Sequence, residues 1–161
     1  MAATEFFLKL EGIDGESADA KRKGEIGLES WSWGETQGGA HAAGGGGGAG
    51  RVSMQDFHAV MKVCKASPRL MLACATREPI KKAVLTCRKA GTDQQEYLKV
   101  TMTDLLVSSY QTGGNGHGVG PTDQFSLNFA KIEFEYREPR PDGTLGGSVR
   151  AGYDLKANQR V

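Results

Sequence analysis

The chain is short of apolar runs. Nowhere do apolar residues continue for the roughly 18 positions that a membrane-spanning helix needs. Its start, "MAATEFFLKLEG", lacks the basic stretch followed by an apolar one that marks a secretory leader. Synthesis and folding in the cytosol, without membrane insertion, are therefore expected. An excess of one charge is also missing: 20 Lys plus Arg against 19 Asp plus Glu leave a formal net charge of +1. That balance gives no global attraction to nucleic acid or to an anionic membrane, and neither partner is expected. Cysteine is limited to Cys64, Cys74 and Cys87. An odd number without metal-ligand spacing reads as small, reduced apolar side chains.

Catalytic patterns are absent too. No G-x-S-x-G, H-E-x-x-H or paired C-x-x-C occurs. His41, His58 and His117 are far apart in sequence, and two of them lie in glycine-rich stretches that would not fix their geometry. On a strand, His58 and Cys64 would stand about 20 Å apart, too far for a dyad. Glu133 and Glu135 alternate with Ile132, Phe134 and Tyr136, as on a solvated strand face. Neither an enzymatic activity nor a metal or cofactor is expected.

Glycine is plentiful, with 23 of 161 residues, about twice the usual share of roughly 7%. The apolar fraction of 39% and charged fraction of 24% stay near globular values. A chain of this length buries roughly 70% of its unfolded surface, enough for one ordinary core. A single domain over residues 1–161, rich in loops, is expected.

Several segments alternate at the strand period of two. They include Phe6, Leu8 and Leu10; Ile26 and Leu28; Ala83, Leu85 and Cys87; Leu98, Val100 and Met102; and Phe125, Leu127 and Phe129. Four runs then change phase: Leu28 to Trp31, Met54 to Phe57, Met102 to Leu105, and Phe129 to Ile132. A strand changes face where a residue is inserted or where it passes between sheets, which points to a curved barrel or a two-sheet sandwich. "SPRLMLACATREP" breaks the pattern. Ser67 as N-cap, Pro68 at the first helical position and Pro79 as terminator predict one short helix. Its Leu70, Ala73 and Cys74 would cover one side of the barrel. The segment Val52 to Cys64 also fits helical spacing through Phe57, Val60, Met61 and Cys64, but strand is favoured.

Two long glycine-rich loops remain, and loops of this length are usually functional or disordered. In the first, Gly45 to Gly50 has the spacing of a phosphate-binding loop. Arg51 and Val52 stand where Lys and a hydroxyl residue are needed, so the magnesium ligand is missing. From Gly38 to Gly50 every residue but His41 is glycine or alanine, leaving few side chains to pack within the same subunit. Ordering the tract would cost roughly 10 kcal/mol or more. An extensive partner surface, such as a symmetric assembly supplies, would offset that cost. A plain linker remains the alternative. Just before it, "ESWSWGE" alternates Trp31 and Trp33 with Ser30 and Ser32. If the tryptophans anchor the core, the serines face outward, toward solvent or along a smooth wall.

Seven stretches carry a family resemblance: "FFLKLEGIDGES", "ESWSWGETQ", "GGGGGAGRVSMQDF", "AVLTCRKAG", "EYLKVTMTDLLVSSYQTGG", "SLNFAKIEFEY" and "AGYDLKANQ". Together and in this order they resemble the haemolysin-coregulated proteins, the tube subunits of bacterial type VI secretion systems. The likeness covers nearly the whole chain, without an inserted domain or a toxin extension. It implies a mainly β fold, a compact β-barrel of two sheets with one short α-helix alongside, and strand for Val52 to Cys64. It further implies homohexameric rings that stack into a tube inside contractile sheath proteins, capped by a spike protein. Small effector proteins would ride in the lumen. The protein would be cytoplasmic before firing, then secreted without a cleaved signal peptide.

By position, the segment comprising Gln37, Gly38, Gly39, His41, Gly44, Gly45, Gly46, Gly47, Gly48, Gly50 and Arg51 corresponds to the family's extended ring-stacking loop. Ser32, with Ser30 beside it, corresponds to a lumen position that contacts cargo. Residues 113 to 122 fall in a variable region and receive no role. A stand-alone β-barrel ligand-binding module is the alternative reading of the same pattern.

Overall fold

Alternating segments and turn residues produce eleven strands and one helix over residues 3–38 and 51–161, the part of the chain that the computed structural model describes. Strand β1 (Thr4–Leu10) pairs antiparallel with β2 (Ile26–Leu28). Strand β3 (Ser30–Ser32) follows β2 across Glu29 alone, whose backbone N–H donates to Val60 O at 2.8 Å. β3 pairs with β6 (Phe57–Lys62), and β6 with the first half of β9 (Thr122–Pro139). β9 runs beside β8 (Glu96–Gly113), β8 beside β7 (Ile80–Lys89), and β7 returns to β1. With Ile26 to Ser32 taken as one bent segment, these pairings form a circuit, a curled and barrel-like sheet. β10 (Leu145–Asp154) extends it from the second half of β9 and carries β11 (Gln159–Arg160). A separate two-stranded ribbon joins β4 (Glu35–Gln37) to β5 (Val52–Met54). The expected fold class holds: mainly β, two sheets and one short helix.

The phase changes have a different origin from inserted residues. Met102 pairs with Ile132 and Leu105 with Phe129, so β8 and β9 switch face in the same row and their register is kept. Asp104 sits in that row with φ 52°, a left-handed conformation that Asp tolerates better than most residues. The other two changes fall where strands stop, at Glu29 and at Gln55–Asp56. Val52 to Cys64 is therefore strand, but broken into β5 and β6.

The helix α1 spans Ala66–Thr76, and its N-cap is Lys65, not Ser67. Ser67 lies inside the first turn, where its hydroxyl accepts from Cys64 N at 3.0 Å and donates to the buried Asp123 on β9. A tertiary hydrogen bond has taken the side chain that capping would have used. The buried face of α1 carries Leu70 and Ala73 as expected, with Cys74 half-buried at its edge.

The first turn after β1 falls at Glu11–Gly12, and the following segment crosses the outside of the sheet as a strap. A Cβ at Gly15 would meet Glu25 O at 2.6 Å, so only glycine lets the two backbones approach this closely. The strap is fastened by Arg88, whose side chain is 2% exposed. Its guanidinium grips both oxygens of Asp19 at 3.0 and 2.6 Å, reaches Glu5 at 2.8 Å, and covers the Phe7 ring at 4.7 Å. Arg22 pairs with Glu96 at the other end.

The Arg88 guanidinium holds the Asp19 carboxyl well below the usual carboxylate range. A depressed carboxylate stabilises the fold above its unfolded value, about 3.9, and that contribution fades as pH falls below it. Between pH 7 and pH 3 the natural chain should therefore lose more stability than Asp19→Asn, measured by denaturant unfolding. Equal losses would mean that the strap contact does not hold in solution.

Candidate functional site

Strand pairing lays out one polar face across four strands. Its first row runs Ser30, Val60, Gln124 and Gln111, and its second Ser32, His58, Ser126 and Ser109. Ser30 and Ser32 are exposed, as alternation predicts, and so is His58. Ser126 is buried and shares hydrogen bonds with the hydroxyls of Ser108 and Ser109. Ser108 donates to Asp56 at 2.6 Å, and Asn128 donates to the other Asp56 oxygen at 2.9 Å. The rows contain no Lys or Arg, and their one aromatic ring is the His58 imidazole. Short hydroxyl and amide groups make a flat surface that hydrogen-bonds weakly and bears little fixed charge.

Trp31 is half-buried on the opposite side of the same strand. It stacks on Phe57 at 6.0 Å and 13° and meets Phe6 edge-on at 6.2 Å. Trp33 lies just past the end of β3, half-buried 6.4 Å from Phe129, and its indole N–H is enclosed without a partner among the described residues. Nearby, burial pushes the Cys87 thiol up to about 11, which keeps it un-ionised and unreactive at neutral pH.

A second face is apolar and uncovered. Leu98, Tyr136 and Val149 form one cross-strand row, and Val100, Phe134 and Ala151 the next. The β8 end of these rows lies in or against the core, but Phe134, Tyr136 and Val149 are 38%, 43% and 71% exposed. β9 and β10 thus carry the inward-facing side of the sheet beyond the barrel that covers it. An open groove of about 730 Å³ separates this face from the ribbon, lined by Trp33, Val52, Met54, Ile132, Phe134 and Tyr153 among others. The other side of the strands is charged, with Glu135 paired to Arg150 at 3.0 Å.

The ribbon carries the ends of the glycine tract. Gln37 closes β4 opposite Val52, Gly38 follows it, and Arg51 precedes β5, all three exposed. Gly39, His41, Gly44, Gly45, Gly46, Gly47, Gly48 and Gly50 lie outside the described residues. Sequence reasoning missed two features. The apolar alternation of Ile132, Phe134 and Tyr136 was legible, yet nothing local tells that the core ends at Ile132. Arg88 has no signal beyond the apolar strand that contains it.

These features define a class: a small curled-β protein whose distinguishing surfaces are extended faces and a ribbon-borne insertion. The family model described as "Type VI secretion system effector, Hcp" matches residues 7–136, and the chain belongs to that haemolysin-coregulated protein family. Protein hcp1 of Pseudomonas aeruginosa is 40% identical over 158 residues, covering 97% of this chain and 98% of the relative. The crystal structure of Hcp1 from Salmonella typhimurium matches with a TM-score of 0.82 and 36% identity over 100% of each chain. A structure described as that of a type six secretion system protein matches with a TM-score of 0.92 and 25% identity, over 99% of this chain and 100% of that one.

Proposed function

We propose that the chain is a ring-forming subunit of the type VI secretion tube. Six copies close into a ring, and rings stack through the segment from Gln37 to Arg51. The spike protein caps the stack and the sheath proteins surround it. The protein is made in the cytoplasm and leaves through the machine itself. The observation that carries this reading is the uncovered apolar face of β9 and β10. A contiguous patch of large apolar side chains marks a contact surface, and in a cyclic assembly another copy of the chain covers it.

Stacking is assigned to the ribbon and its glycine tract because a segment with almost no side chains gains order only against another surface. Deleting Gly44 to Gly48 should leave rings intact and weaken their stacking, since no core residue is touched. Native mass spectrometry and electron microscopy read the two levels separately. Loss of rings with normal stacking of any that remain would remove the loop from this role.

The polar face with Ser30 and Ser32 is assigned to the lumen, where small effector proteins are held. Trp31 and Trp33, on the other side of the segment, anchor it so that the serines keep this direction. Ser32→Gln adds bulk to an open, smooth surface and should reduce co-purification of a co-expressed small effector without lowering the melting temperature. Unchanged retention would take Ser32 off the contact surface.

A further inference from the structure

The charged outer side of the sheet carries a cleft unrelated to either face described above. It has a volume of about 480 Å³ and lies between the strap, the β7–β8 connection and the β9–β10 turn. Its floor is one cross-strand row, Thr86, Lys99 and Glu135. Lys21 enters from the strap, Asp93 from the β7–β8 connection and Arg137 from β9.

The walls are tied together before any ligand arrives. Arg88 and Arg22 fasten the strap to the sheet. Buried Gln95 donates to Arg140 O at 3.0 Å and to Thr144 O at 2.8 Å, joining the hairpin connection to the turn. A pocket held in this way loses little conformational freedom on binding.

Its charges are unevenly satisfied. Glu96 is taken by Arg22 and Glu135 by Arg150. Arg137 uses only Nε, on Gly146 O at 3.0 Å. Lys21, Lys99 and Arg137 have no acidic partner among the described residues; of the carboxylates lining the cleft, Asp93, Glu96 and Glu135, only Asp93 is outside an ion pair there, beside Gly143 at the rim. Thr86 is 0% exposed, so the cations and not its hydroxyl meet the open space of the cleft. Three cations against one carboxylate outside an ion pair favour a negatively charged ligand.

We propose that this cleft binds a small multivalent anion, either a phosphate ester or a polycarboxylate. Lys21, Lys99 and the Arg137 guanidinium meet its charge. The site does not depend on the lumen or the stacking loop, so it stands or falls apart from the tube assignment.

Isothermal titration of the full chain at neutral pH in chloride buffer, with inorganic phosphate and separately with citrate, tests it. One saturable site per chain is expected. Saturation by phosphate alone would place the ligand among phosphate esters, and by citrate alone among polycarboxylates. Each lost charge-assisted hydrogen bond costs about tenfold in affinity, so Lys99→Gln with Arg137→Gln should abolish measurable binding. Saturation by neither anion, or binding unchanged in the double variant, would overturn the proposal.

Discussion

Replacing Phe134 with glutamate should leave the chain folded and turn the proposed ring into a monomer. Phe134 is 38% exposed within the isolated subunit, so a charge there meets water and costs the monomer little. In the proposed ring a neighbour would cover the same position, and an unpaired carboxylate against an apolar surface costs several kcal/mol. Central interface aromatics lose about 2 kcal/mol or more on truncation alone. A ring pays that loss at every interface, so the whole assembly should fail at micromolar concentrations. Sedimentation velocity gives the mass, and circular dichroism shows whether the fold survives. Tyr136→Lys repeats the test in the adjacent row with the opposite charge. Folded variants that keep their full assembled mass would show that this face is not the ring interface.

Trp31→Ala should produce the largest loss of subunit stability among substitutions in the strand that bears the candidate lumen serines. The indole stacks on Phe57, which is fully buried, and meets Phe6 edge-on. Removing it takes away apolar burial and both aromatic pairings. Trp31 is half-buried, so the lower end of the range for large-to-small substitutions applies, about 3 kcal/mol. For a chain of this size that lowers the melting temperature by about 6 to 12 °C. Ser32→Gln, one residue away, should leave it unchanged. Equal effects at the two positions would mean that the faces are exchanged.

Local pattern carried most of the strand content, because the period of two survives wherever one side of a strand is buried. It also carried the outward direction of Ser30 and Ser32, since their neighbours are bulky enough to choose the inside. It did not carry the corner at Asp104. There the face changes through one left-handed residue, matched by the partner strand in the same row. The helix start was misplaced by two residues because Ser67, an apt cap by type, bonds to Asp123, 56 positions away. Contacts of that range leave no trace in a window of sequence.

The two faces differ in the same way. Apolar side chains at Phe134 and Tyr136 read as one side of a strand, but their exposure depends on where the barrel ends, which is a property of the whole circuit. Arg88 reads as an ordinary exposed cation until the strap brings Asp19 to it. The glycine tract was conspicuous by composition, and the stacking role proposed for it rests on that composition and on the family to which the chain belongs.

The most direct measurement is electron microscopy of the purified chain, carried to a resolution that traces the strands. A six-fold ring is expected, with a central hole lined by the face of Ser30 and Ser32, and with Phe134 and Tyr136 closed between neighbours. A population of monomers at every concentration, or a ring with the serine face on its outside, would contradict the account.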